Sequence, residues 1–154
     1  MAISSAGLLL YRKIKGRLEV LLVHPGGPFW AKKDEGSWTI PKGEISENEV
    51  PLQAAIREVK EETGFDASKY LLIELSPIKQ KSGKKVFAWA VEADIDSAAI
   101  KSNLFEMEWP PKSGVKKNFP EIDRASWFTP QQAYEKILPA QIPFIEELEK
   151  KYKK

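Results

Sequence analysis

The residues whose types and spacing can do chemistry are Glu58, Glu61 and Glu62. They stand at i, i+3 and i+4, so on a helix of about 3.6 residues per turn they share one face. For stability alone this is a poor arrangement. Like charges at that spacing repel by a few tenths of a kcal/mol per pair, at roughly 0.2–0.5. All three also lie in the last turns before Gly64, the helix end whose dipole favours cations. Clustered carboxylate oxygens are what a hard divalent cation prefers, and such a cation would offset the repulsion. Taken by themselves, three glutamates read first as a solvated acidic face, which is what charge runs usually are. Their surroundings add Arg57, directly before Glu58, and Glu49 in the loop after Gly43. An arginine so placed can form a bidentate pair with Glu49, pinning the loop and orienting the neighbouring carboxylate.

The elements that must position these residues can be traced along the chain. Ala6–Tyr11 and Leu18–His24 are apolar runs separated by a polar segment with Gly16, which predicts an antiparallel hairpin. His24–Ser37 is rich in Gly, Pro and charge and predicts a long loop, followed by a short strand at Trp38–Ile40 that Pro41 stops. From Pro51 to Thr63 the residues Leu52, Ala55, Ile56, Val59 and Thr63 follow helical spacing. Pro51 suits the first turn and Gly64 the position just past the end. Further strands are expected at Tyr70–Leu75, Lys85–Ala93, Leu104–Trp109 and Ile122–Phe128, with a loop before the last. Closing helices are expected at Pro130–Leu138 and Pro143–Tyr152, with a basic, frayed end at 150–154. Strands mixed with a few helices, without regular alternation, predict an α+β sandwich.

The bulk composition bounds the function. At 154 residues the chain fits one domain over 1–154. With 42% hydrophobic and 30% charged residues it has a globular rather than a disordered composition. A net charge of +2 gives no general pull toward nucleic acid or an acidic membrane, so phosphate affinity must come from local placement. The absence of cysteine excludes disulfides, zinc–thiolate sites and thiol nucleophiles. No stretch approaches the roughly 18–20 apolar residues of a spanning helix, and the start does not read as a signal peptide. The expectation is therefore a cytoplasmic protein.

Gly43–Phe65, GEISENEVPLQAAIREVKEETGF, resembles the Nudix box, G-x5-E-x7-R-E-U-x-E-E-x-G-U with U apolar. Gly43, Glu49, Arg57, Glu58, Val59, Glu61, Glu62, Gly64 and Phe65 fill the pattern. Phe65 is aromatic where aliphatics are commoner. The box covers about a seventh of the chain, and the order of elements around it also resembles the family's layout, an α/β/α sandwich with a mixed sheet. The resemblance implies a Mg²⁺-dependent enzyme, with Mn²⁺ as substitute, that hydrolyses a pyrophosphate bond in a nucleoside-diphosphate-linked substrate. It implies that Glu58, Glu61 and Glu62, with the carbonyl of Lys42, hold the metal. It leaves the proton acceptor open between Glu58 and Glu61, with Arg57 and Glu49 in support. Glu121 is the expected further acid from outside the box, ahead of Glu106 and Glu108.

The stretch Trp38–Gly43, WTIPKG, resembles the diadenosine polyphosphate branch of the family, where a lysine precedes the box glycine. Lys42 and Gly43 are thus expected at the substrate, with Lys33, Trp30 and His24 as further contacts. Lys32, Lys112, Lys116 and Lys117 could line a polyphosphate groove, and Phe29, Trp30 and Trp109 could stack on a base. Solvated lysines, aromatics that cap the core, and a structural hydrogen bond for His24 are the competing readings. The alternatives for activity are a house-cleaning pyrophosphatase for damaged nucleoside triphosphates, a nucleotide-sugar hydrolase, or a nucleotide sensor without catalysis. The expected partner is a small nucleotide, with no nucleic acid and no membrane, and the chain reads as monomer or homodimer.

Overall fold

A computed structural model describes residues 4–100, 102 and 104–152. Strands β1 (Ser5–Ile14) and β2 (Arg17–Pro25) form the expected hairpin. Its turn, Lys15-Gly16, has positive φ at both residues, the conformation that matches the twist of paired strands. Next come β3 (Lys42–Glu44), α1 (Pro51–Thr63), β4 (Ile73–Lys79) and β5 (Lys85–Glu92). They are followed by β6 (Leu104–Glu108), β7 (Lys116–Pro120), β8 (Ile122–Phe128), α2 (Pro130–Lys136) and α3 (Ile142–Tyr152). The main sheet has six strands in the order β4-β5-β1-β2-β8, with β3 paired to β1. β1 runs parallel to β5 and antiparallel to β2 and β3, so the sheet is mixed and the fold is α+β.

β1 is central, and its period-two alternation feeds two cores. Leu9 and Tyr11 join Leu22, Ile40, Phe144, Ile145 and Leu148 on the α2/α3 side. Leu8 and Leu10 join Leu21, Ala55 and Val59 on the α1 side. Each fully buried leucine contributes roughly 1.5–3 kcal/mol. Because both faces are covered, the strand reads as a continuous apolar run. Among the described residues no helix is long and apolar enough to cross a membrane.

The structure corrects several local expectations. Trp38–Ile40 is not a strand; it makes only isolated bridges, Val23 with Thr39 and Trp38 with Ile137. The Ile40 N–H goes instead to the Gln141 side chain (3.0 Å), and Pro41 has no N–H to continue a ladder. Tyr70 lies in a turn, donating its N–H to Ala67, and packs its ring on Phe65. The strand beyond starts at Ile73 and runs through Pro77, which an edge strand with a register shift tolerates. β7 falls where a loop was expected. It pairs only with β6, apart from the main sheet, so burial imposes no apolar alternation on it. At the far end, residues 150–152 are helical rather than frayed, with Tyr152 edge-on to Tyr11; 153 and 154 lie outside the described residues.

Candidate active site

α1 is anchored by Ala54, Ala55 and Val59, which bury against β1, and its glutamates run along the edge of that buried stripe. Pro51 sits in its first turn, and Gly64 caps its end with a left-handed φ of 82°. The Arg57 guanidinium forks onto Glu49, Nε to Oε2 and Nη2 to Oε1, both at 2.8 Å. Nη1 donates to Glu58 Oε1 at 2.7 Å, and Nη2 reaches the Glu44 carbonyl at 3.2 Å. One arginine thus ties the loop, β3 and α1 together. The fork holds the Glu49 carboxyl down at about 2.

β3 brings in the second half. The Lys42 N–H donates to Glu62 Oε2 at 3.2 Å. Gly43 lies so close to α1 that a Cβ there would stand 1.9 Å from Glu58 Oε2. Only glycine leaves room for that carboxylate. Burial pushes the Glu62 carboxyl up to about 8. The Lys42 charge opposes the rise, and Glu121 and Glu58 add to it. Glu121, at the start of β8, is also raised, by burial first and then by Glu58 and Glu61. The Lys42 ammonium is lowered by burial and by Lys84, against the pull of Glu62, Glu44 and Glu58. A cleft of about 410 Å³ opens over this group, lined by Trp30, Lys42, Glu62, Gln80, Glu121 and Ile122 among others. A larger hollow of about 490 Å³, beside Arg17 and Glu149, holds none of these residues.

Box spacing, helix face, loop fork and carboxylate cluster all coincide, and the NUDIX domain family model matches residues 1–148. The chain belongs to the Nudix family. It is 42% identical over 65 residues to a bis(5'-nucleosyl)-tetraphosphatase of Caenorhabditis elegans, across 42% of this chain and 43% of that protein. It is 32% identical over 127 residues to an RNA pyrophosphohydrolase of Brucella anthropi, across 72% of this chain and 67% of that protein. The chain therefore spans under half the length of the first relative. Among solved structures, a C. elegans Ap4A hydrolase binary complex superposes with a TM-score of 0.65 at 23% identity. It covers 98% of this chain and 97% of that one, a likeness of fold.

Nudix proteins characteristically act with a divalent cation. Among the described residues no three acidic or histidine side chains converge as a ready cage, since Arg57 holds Glu58 and reaches toward Glu61. The donor set nonetheless fits a hard cation. It is all oxygen, the donor type such a cation prefers, and burial first and neighbouring carboxylates second raise the proton affinity of Glu62 and Glu121.

Of the other sequence candidates, Trp30 lines the Nudix cleft. His24 does not reach it. His24 is fully buried, with Nδ1 2.8 Å from Asp123 Oδ1 and Nε2 2.6 Å from the Lys33 carbonyl, so it acts as a strut rather than a substrate contact. Lys33 places its ammonium over the Trp30 ring, 5.1 Å from the centroid. Lys32, Lys112, Lys116 and Lys117 are exposed, and Lys116 lies 3.8 Å from Glu106. The Glu108 carboxylate accepts the Lys112 N–H at 2.6 Å, which turns it into the hairpin tip. Sequence reasoning missed Gln80 and Lys84. Both belong to the turn between β4 and β5, QKSGK, whose polar composition marks a turn but says nothing of what it faces.

Proposed function

We propose that this chain hydrolyses a pyrophosphate bond in a dinucleoside polyphosphate or nucleoside polyphosphate, with Mg²⁺ or Mn²⁺. The observation that carries the reading is the cleft where Lys42, Glu62 and Glu121 meet above the acidic face of α1. Glu58, Glu61 and Glu62, with the Lys42 carbonyl, are the residues that would hold the cation. The chemistry such a cation supplies is neutralisation of phosphate charge and easier deprotonation of water.

The chain's own side chains do the rest. Lys42 is the point charge for a phosphate oxygen, half-buried in the cleft wall and flanked by Lys84. Glu58 or Glu61 can take the proton of the attacking water. Glu121, whose proton affinity burial and its neighbours raise, suits the supporting role. Arg57 and Glu49 position Glu58 through the fork, and Gly43 gives it room. Phosphoryl transfer depends mainly on such placement and on charge neutralisation.

The similarity to a bis(5'-nucleosyl)-tetraphosphatase supports the dinucleoside substrate, and the box-adjacent lysine agrees with it. The similarity to an RNA pyrophosphohydrolase supports a second reading, in which the nucleoside polyphosphate is the 5' end of an RNA. The test is release of nucleotide or phosphate with Mg²⁺ from diadenosine polyphosphates, normal and oxidised triphosphates, nucleotide sugars and 5'-triphosphorylated RNA. Fastest turnover of the dinucleoside polyphosphates, lost with EDTA, is expected. A different best substrate would keep the chemistry and replace the substrate. No turnover of any would leave a binding protein.

A further inference from the structure

The loop that brings Trp30 to the cleft also carries Phe29, which pairs with Trp109 outside the buried clusters. Phe29 is 61% exposed and meets Trp109 edge-to-face, with ring centroids 5.6 Å apart. Trp109 directly follows β6 in the loop of the off-sheet hairpin, while Phe29 belongs to the loop after β2. The hairpin already has its own packing. Phe105 stands opposite Phe119 across the β6–β7 ladder, their rings 6.0 Å apart, and the Phe105 ring abuts Gly27. Phe29 joins none of the buried clusters, so its ring contributes little to the core.

The placement of the pair gives it a use. Trp30, the next residue, lines the cleft, and Lys33 sits over its ring. The Gly26 N–H donates to the Glu121 carbonyl at 2.9 Å, which fixes the base of the loop to the acidic edge of the site. Two neighbouring aromatics therefore serve two places, Trp30 inside and Phe29 outside. At about 410 Å³ the cleft is at the small end for ligand sites, enough for one nucleoside end of a substrate that has two. Exposed aromatic faces beside a phosphate-binding cleft are what nucleobases stack on, and stacking tolerates any base because each has a π-face.

We propose that Phe29 and Trp109 form an outer subsite that stacks the second base of a dinucleoside polyphosphate, the first nucleoside lying in the cleft beside Trp30. This deepens the reading of the cleft given above and rests on it. It makes a distinction that the box residues cannot make, between substrates with two bases and those with one.

The experiment compares steady-state hydrolysis of diadenosine tetraphosphate and adenosine 5'-tetraphosphate, with Mg²⁺, by the wild type, Phe29→Ala, Phe29→Tyr and Trp109→Ala. The expected result is a KM for diadenosine tetraphosphate raised about tenfold in Phe29→Ala with kcat little changed. Phe29→Tyr should restore it, and the KM for adenosine tetraphosphate should stay near the wild-type value. Trp109→Ala should follow the same pattern. If that variant fails to fold, Phe29→Ala still decides, because its exposed ring can be removed without a cavity. Unchanged KM for both substrates in Phe29→Ala, or an equal rise for both, overturns the outer subsite and leaves the catalytic reading standing. No wild-type turnover of either substrate overturns both.

Discussion

The box region and the outer rim of the same cleft are built in opposite ways. Around α1 the polar contacts join residues close in sequence: Arg57 holds Glu49 and Glu58, Glu62 accepts from the Lys42 N–H, and Gly43 leaves room for Glu58. In the outer loops the meetings join distant segments, Phe29 with Trp109 and the buried His24 with Asp123, and Phe29 faces solvent. The first region is a short-range device in which distances are fixed by helix pitch and one loop. The second exists only once the loop after β2, the β6–β7 hairpin and the start of β8 have assembled. On the proposed reading chemistry is thereby separated from recognition, so the two should fail separately.

The largest effect expected is on the first region. Glu58→Gln and Glu61→Gln each remove a charge while keeping the shape. We expect kcat to fall on the order of 10²–10³-fold, as for loss of a preorganised electrostatic group, with circular dichroism and melting temperature near those of the wild type. Each mutation relieves like-charge repulsion but gives up an ion pair with Arg57, at 2.7 Å for Glu58 and 3.4 Å for Glu61, so the net change in stability is expected to be small. Wild-type-like turnover in either would break the comparison, because the box would then be no more than a solvated helix face.

The same contrast explains what was legible in the sequence. The helix, its acidic face and the Arg57–Glu49 pair follow from spacings inside one short segment, where geometry is set by the backbone period. β1 and β2 were legible because burial on both faces leaves continuous apolar runs. β7 was not, since pairing with β6 alone, apart from the main sheet, leaves no apolar alternation to read. His24, beside Pro25-Gly26-Gly27, reads as either a phosphate contact or a structural hydrogen bond, and the sequence does not show its partners. Its burial between Asp123 and the Lys33 carbonyl depends on β8, distant in the chain. Gln80 and Lys84 reach the site only because β4 and β5 form one edge of a sheet whose order no local pattern encodes.

A smaller effect sharpens the point. Gly43→Ala adds one methyl where the Glu58 side chain now lies. The obstacle is the far end of a flexible side chain, so stability should change little while Glu58 is pushed from its place beside Arg57. We expect kcat reduced about tenfold or more with a melting temperature within a few degrees of the wild type; a displacement of about 1 Å at a reacting group is enough for such a loss. Unchanged kcat would show that Glu58 works equally well elsewhere.

The smallest effect separates the two regions by their ion pairs. The Glu49 carboxyl is held at about 2 by the Arg57 fork, below its ordinary value of 4.5. Its folded form therefore binds a proton less readily than the unfolded chain does. The stability this supplies is complete above pH 4.5 and is lost as pH falls toward 2. Glu49→Gln should accordingly melt below the wild type at neutral pH, and the gap should close across that acid window. At the rim, Glu106 lies 3.8 Å from Lys116 with both side chains more than half exposed. A pair so solvated contributes little, so Glu106→Gln should melt with the wild type at neutral pH. Urea or thermal melts from pH 7 to pH 2 on the three proteins give the answer. A Glu49→Gln gap that persists unchanged at pH 2 would mean that the fork acts through packing rather than charge. The arginine would then hold the loop in place without setting the charge of the carboxylates it touches.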